Sequence, residues 1–411
     1  MAAPSFFSRA LAKVVSNLRL FFTHRQARAV GFTFAADSLM FGSWVAYIPH
    51  VKTTLGLNDA ELGLALFGMP LGLLAMNPFS AGFIARFGLA RTTIGATVAM
   101  ALTFAMPVWM PERWSLLAAL FCVGASVALM NVAMNTCATN IERNDGVYIM
   151  SSCHGMWSMG GMTGSGTAAA LIAAGMAPRL HLTALAALVI VLTLTGLRPV
   201  LQTVPETGNS GGGSKFTLPN RDLLLMILIG MVISLGEGVA FDWSAVYLRD
   251  RLGAPEQVAA LGFTCFSLTM MAMRFTGDVL IPRFGERNML YFSALLTFLA
   301  LSAVIVSTAP LAGIAGFLLL GAGVALGAPI LFNAAARVPG LAPGAGLATY
   351  ATFSFMGFLA GPPAIGFIGE HYGLEVGFAI VAGLALMLVA AIRKVRLYSP
   401  DSGGSISAAA F

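Results

Sequence analysis

The segment SLGEGVAFDWSAVYL, Ser234–Leu248, sets two carboxylates, Glu237 and Asp242, in a run that is otherwise almost wholly apolar. Two hundred residues earlier the chain reads FAADSLMFGSWVAYI, Phe34–Ile48. Three residues recur in place: Asp37, Phe41 and Tyr47 against Glu237, Phe241 and Tyr247. An acid followed by the same aromatic spacing in two greasy stretches raises two questions, what surrounds the acids and why they are doubled.

Composition answers the first. Of 411 residues, 58% are hydrophobic and only 10% charged, with mean hydropathy +0.84. A soluble domain carries roughly a quarter of its residues charged, so this chain belongs in a membrane. Twelve apolar runs recur, at 28–50, 60–85, 91–110, 114–140, 148–175, 180–200, 222–248, 257–281, 288–309, 311–336, 345–369 and 373–392. Each is long enough to cross a hydrocarbon core of ~30 Å as a helix. Lipid offers the backbone no hydrogen bonds, so such runs are helices, and the alternation of a membrane barrel is absent. The expected fold is an all-α membrane protein of twelve transmembrane helices.

The net charge of +6 and a pI near 9.4 follow from topology and call for no nucleic acid. With the N-terminus inside, seventeen of the 23 Lys and Arg fall in inner segments and five in outer loops, Arg274 lying within a span. That asymmetry places both termini in the cytoplasm. Cys122, Cys137, Cys153 and Cys265 fall inside spans without metal-ligand spacing and read as small packing residues. Residues 1–27 are read as a cytoplasmic segment whose basic and apolar residues fit an amphipathic helix on the inner leaflet; a frayed tail is the alternative.

The second question is answered by an internal repeat. The Gly/Ser-rich stretch 201–220 reads as a cytoplasmic linker, with six spans in 28–200, six in 221–393 and a tail at 394–411. RFGLAR at 86–91 returns as RFGER at 283–287, Asn135 returns as Asn333, and Met159-Gly160 with Gly164 returns as Met356-Gly357 with Gly361. Matches in order at a nearly constant offset predict two parallel six-helix repeats.

Twelve spans in two halves with Arg-Phe-Gly corners after the second and eighth resemble the major facilitator superfamily. MSSCHGMWSMGG (150–161) and GEGVAFDWSAVYLRD (236–250) are similar to a smaller group within it, the YbjJ/MosC-like bacterial permeases, one of which is associated with an amino-polyol. The resemblance implies a major facilitator fold, an inner-membrane location, a small-molecule substrate, no cofactor, and an inner gate at Arg86, Arg91 and Arg283. The family's loop acid is missing in the first copy, where Ala85 stands, and appears earlier in the second, as Asp278.

Charged residues inside a span usually face a cavity or a partner. Arg274 and Asp278, four apart on one helix face, are expected to pair, as a structural brace or a gate element. Asp37, Glu237 and Asp242 have no evident basic partner except His154, and such carboxylates suit proton carriage or a cationic substrate. Gly236 and Gly238 flank Glu237, where the helix is expected to loosen. On a regular helix Asp242 falls about 140° from Glu237. His154 reads as a packing residue or a proton relay. Asn131, Asn135 and Asn333 either join helices or read hydroxyls. Trp44, Trp157 and Trp243 suit the face of a sugar or polyol, or an amine through cation–π attraction; Tyr47 and Tyr247 read as interfacial residues.

The function expected is proton-coupled secondary transport of a small polar solute, of sugar, polyol or amino-polyol type, by a monomer in the bilayer of a bacterial inner membrane. The alternatives are proton-driven efflux of amphiphilic or cationic compounds and, from another class, a non-transporting receptor or scaffold. No metal cluster, nucleophile motif or phosphate loop points to an enzyme.

Overall fold

The computed structural model describes residues 15–16, 19–147, 149–205, 218–339, 341 and 345–397, Asp278 by its backbone alone. Most of the linker, the tail and the amphipathic segment expected from sequence lie outside the described residues. Eleven helices among the described residues are long and apolar enough to cross a membrane: α1 Arg25–Thr54, α2 Asp59–Phe87, α3 Leu89–Trp109, α4 Arg113–Asp145, α6 Pro178–Leu201, α7 Arg221–Asp250, α8 Glu256–Gly277, α9 Glu286–Val306, α10 Pro310–Ala335, α11 Ala345–Tyr372 and α12 Leu374–Lys394. Between α4 and α6 lies α5, Met150–Ala173, richer in Gly and Ser than its neighbours.

Local chemistry sets the breaks. Asn58 caps α2, its Oδ1 accepting from the Glu61 N–H at 2.8 Å while Glu61 Oε2 accepts from the Asn58 N–H at 3.2 Å. The two Arg-Phe-Gly corners share one geometry: Gly88 and Gly285 have φ of 83° and 80°, and their N–H groups close on Ile84 O and Ile281 O. Only glycine takes that conformation without strain. The repeated motif is therefore a repeated turn.

Helices in lipid gain little from the hydrophobic effect and associate by close fit, which favours small residues at contacts. On α5, Gly160 and Gly164 lie against the carbonyls of Ala35 and Leu39, and Gly42 of α1 lies against the Gly161 carbonyl. Gly357 of α11 packs likewise on the Met231 carbonyl of α7. Helix α1 packs on α5 as α7 does on α11, α2 on α4 as α8 on α10, and α3 on α6 as α9 on α12. Contacts α5–α8 and α2–α11 join residues 25–205 to residues 218–397. The apolar window of α1 is 83% buried and that of α10 67%, against 28% for α6, whose Leu180, Leu188 and Val191 face outward.

Where α1 and α7 end, a charge cluster ties four helices together. Lys52 Nζ donates to Asp59 Oδ1 at 2.5 Å and to Asp250 Oδ2 at 2.7 Å. Arg249 donates to Asp250 Oδ1 at 2.6 Å, to Thr53 Oγ1 at 2.8 Å and to the Pro49 carbonyl. The Asp59 N–H donates to Glu370 Oε2 on α11 at 3.0 Å. Isolated exposed ion pairs contribute ~0–1 kcal/mol; these are mostly buried and share partners, so they act as one latch.

Two outcomes follow from this packing. Gly160→Ala drives a Cβ into the Ala35 carbonyl, whereas Gly95→Ala meets nothing within 4 Å; overpacking costs about 1–3 kcal/mol, so only the first should lower the melting midpoint in detergent. Equal midpoints would refute the contact. Lys52→Ala removes the cation that bridges Asp59 to Asp250, leaving Asp250 to Arg249 and Asp59 without its ammonium, so spin labels at Thr54 and Leu252 should show a longer distance population. An unchanged distribution would remove the latch's role.

Candidate functional site

The close seating of α1 on α5 brings Asp37 within reach of Trp157, whose indole Nε1–H donates to Asp37 Oδ2 at 2.9 Å. The same indole ring carries Arg274 of α8 above it, the guanidinium carbon 5.6 Å from the ring centroid. Arg274 Nη1 donates to Ser158 Oγ of α5 at 3.0 Å, and its Nη2 lies 3.9 Å from Glu237 Oε1 of α7. Asp37, Trp157, Ser158, Arg274 and Glu237 thus form one chain of contacts across four helices.

This arrangement corrects one expectation, that Glu237 lacks a basic partner other than His154. Arg274 turns toward Glu237 and Ser158; the side chain of Asp278, its expected partner, lies outside the described residues. Glu237 in turn has a basic neighbour. The contact at 3.9 Å is an ion pair too long for a hydrogen bond, and Glu237 Oε1 is buried with no hydrogen-bond partner among the described residues. A buried carboxylate oxygen left without a donor is costly, so this atom has unmet bonding capacity.

The helix does change character beside Glu237, but after it. Helix α7 stays α-helical through Gly238 and then makes a π-turn over Val239–Trp243. Such turns take more residues per turn and occur often at functional sites. A π-turn bonds residue i to i+5, so it sets Asp242 nearer to the face of Glu237 than a regular helix would. The 140° separation expected for a regular helix does not apply. Asp242 makes no hydrogen bond or ion pair among the described residues. The Trp243 indole N–H, at the last residue of the turn, is buried and has no hydrogen-bond partner among the described residues.

One turn beyond each repeated acid stands a phenylalanine, and the two meet edge to face, Phe41 and Phe241 centroids 5.2 Å apart. Phe263, Phe266 and Phe358 surround Phe241 at 5.7–5.8 Å, and Trp157 stacks on Phe41 at 6.3 Å. This aromatic plug lies between the acids and the latch.

Other expected residues are more dispersed. Asn135 Nδ2 donates to the Asn131 carbonyl at 2.8 Å and to its Oδ1 at 3.3 Å. His154 is exposed and meets Phe34 edge on at 5.3 Å. Asn333 is exposed on α10, and Trp44 is buried two turns beyond Asp37. Arg86 and Arg283 are exposed over Phe87 and Phe284 on the two corners, and Arg91 is exposed nearby. Tyr47 and Tyr247 are buried: Tyr47 bonds His181 Nδ1 at 2.9 Å, and the Tyr247 hydroxyl donates to the Val304 carbonyl at 3.3 Å. They join helices, which corrects their reading as interfacial. No group of three or more His, Cys, Asp or Glu among the described residues is placed to hold a metal.

Comparison with known proteins gives this geometry a family. The model of the Major Facilitator Superfamily matches residues 30–262 and 223–410. An uncharacterized MFS-type transporter of Yersinia pestis is 31% identical over 88% of this chain and 94% of its own. The membrane protein MosC of Rhizobium meliloti is 31% identical over 89% of each chain. An uncharacterized transporter of Sinorhizobium fredii is 33% identical over 90% of this chain and 97% of its own. Among solved structures, the nucleoside transporter NupG superposes with TM-score 0.71 at 12% identity over 90% of this chain and 98% of its own. The D-xylose-proton symporter gives 0.69 at 14% over 90% and 98%. The likeness to solved structures is one of fold; the likeness to the curated relatives runs along nearly the whole sequence, and by it this multi-pass membrane chain belongs to the Major Facilitator Superfamily and resembles the MosC-like permeases.

Proposed function

We propose that this transporter-family chain moves a small polar solute of sugar, polyol or amino-polyol type across the bacterial inner membrane, coupled to protons, by alternating access. The observation that carries the reading is Glu237: a buried carboxylate whose Oε1 has no hydrogen-bond donor and only a long contact to Arg274. Such a group is poised to exchange one partner for another, a proton or a substrate donor for the guanidinium. Losing Arg274 from Glu237 leaves the guanidinium to Ser158 and Trp157 on α5, which links the charge state of α7 to a contact with residues 25–205.

The reading places α5 as the twelfth span and the helices in two parallel six-helix repeats, 28–200 and 221–393, with 201–220 as a cytoplasmic linker and both termini cytoplasmic. Its support is the recurrence of helix pairs at an offset of six helices and the two matching corners. The latch and plug then close the outer side, and Arg86, Arg91 and Arg283 stand at the inner one. Rocking about the α5–α8 and α2–α11 contacts would expose Asp37 and Glu237 to each side in turn. Efflux of a cationic compound is the second reading, favoured by three acids set against one arginine.

Sugars, polyols and amino-polyols screened by thermal shift on the purified protein supply the probe. In proteoliposomes, Glu237→Gln should cut uptake of the hit driven by a pH gradient by ~10-fold or more while keeping fold and expression, because Gln fills the same volume and cannot ionise. Asp37→Asn should show a related defect and Asp242→Asn a milder one. Normal transport by Glu237→Gln with a dead Asp242→Asn would shift the working acid to Asp242. Topology is checked separately. Ser210→Cys and Ser402→Cys in a cysteine-free background should resist impermeant thiol reagents in intact cells, and ready labelling would overturn the orientation.

A further inference from the structure

At the end of the bundle that carries the latch, a groove of about 470 Å³ opens between the ends of α1, α3 and α5 and the starts of α6 and α8. Its volume is that of a small-molecule site, and it lies apart from the Asp37–Glu237 cluster. Its walls are apolar, with Val51, Leu55, Met110 and Ile172 among them, and it carries one group of each charge, Arg179 and Glu256. Arg179 is held by its Nε–H donating to the Val108 carbonyl at 3.1 Å and by Trp109, whose ring centroid lies 4.8 Å from the guanidinium carbon. Its terminal nitrogens make no hydrogen bond among the described residues. Glu256 stands 3.8 Å from His50 and 3.7 Å from Arg249.

We propose that this groove binds an aminophospholipid, with its phosphate on Arg179, its ammonium on Glu256 and its glycerol and upper acyl carbons along the apolar wall. Two opposite charges in one apolar groove match a zwitterion with an apolar body. A guanidinium with free terminal N–H groups suits a phosphate oxygen, and a carboxylate suits a primary ammonium. The surroundings select a lipid over a soluble zwitterion. Trp109, packed on Arg179, and Leu180, next to Arg179 in the chain, are 51% and 59% exposed, and in a membrane protein an exposed indole of this kind marks the headgroup level. Because Glu256 also faces Arg249 of the latch, a bound ammonium shares its carboxylate with the element that closes this end.

The test uses the full chain, delipidated in detergent, with melting midpoints read against added dioleoyl-phosphatidylethanolamine, the matching phosphatidylcholine and phosphatidylglycerol, and glycerophosphoethanolamine. The ethanolamine lipid should raise the midpoint most, and native mass spectrometry should retain one copy. Arg179→Gln and Glu256→Gln should each lose that increment while their lipid-free midpoints stay near the parent. Met176→Trp, which fills the groove without touching either charge, should lose it too. Equal shifts from all three lipids, an increment that survives in Met176→Trp or in the double charge variant, or full reproduction by glycerophosphoethanolamine at the same concentration would each overturn the assignment, the last in favour of a soluble zwitterion.

Discussion

The contact on which the site depends is backbone against backbone. Gly160 and Gly164 of α5 meet the carbonyls of Ala35 and Leu39, and Gly42 of α1 meets the carbonyl of Gly161. With lipid as the competing solvent, such close fits are what holds two helices together. Asp37 and Trp157 sit within that seam, so the distance between an acid on one helix and an indole on the other is set by glycines that touch neither. A single methyl group on Gly160 would move the hydrogen bond by moving the helix.

The polar residues that this seam positions are too few to neutralise one another. Asp37 has one indole donor, Glu237 has a long contact to Arg274, and Asp242 has neither. Buried ionic groups are weak evidence for stability, since desolvation offsets much of their attraction. An arginine divided between Glu237 on α7 and Ser158 on α5 makes physical sense as a group with two alternatives. The fold is held by packing elsewhere, so the cluster is not needed as a brace.

The spans were legible in the sequence because hydropathy and the backbone's need for internal hydrogen bonds leave one solution in lipid. The corners were legible because Arg-Phe-Gly encodes a turn that only glycine completes, and the acids because a charge in an apolar run stands out. What stayed hidden is tertiary. Arg274 was matched to Asp278 by the four-residue rule, the local rule available, and its contacts on α5 and α7 lie beyond the reach of that rule. Lys52 and Asp250 are 198 residues apart, a pairing that no local spacing rule reaches. Tyr47 looked interfacial because its partner, His181, is on another helix. The π-turn had a faint signal in the glycines beside Glu237, but nothing in the residues gave its position, and with it went the face of Asp242.

The repeat gives the closed end a further logic. A residue and its counterpart in a second copy can touch only near the axis that relates the copies, and Phe41 meets Phe241. On the two-repeat reading proposed above, the pair sits where rocking halves would first separate. An aromatic pair contributes ~0.5–1.5 kcal/mol beyond its buried area, and each mostly buried ion pair of the latch adds a modest amount. On the reading proposed above, opening this end costs about a few kcal/mol in all, spread over an aromatic plug and a charge latch. That is the scale a ligand can supply by binding one state better than the other. On the alternating-access reading proposed above, several weak contacts in place of one strong lock would leave occupancy of the Asp37–Glu237 cluster to decide which side is open.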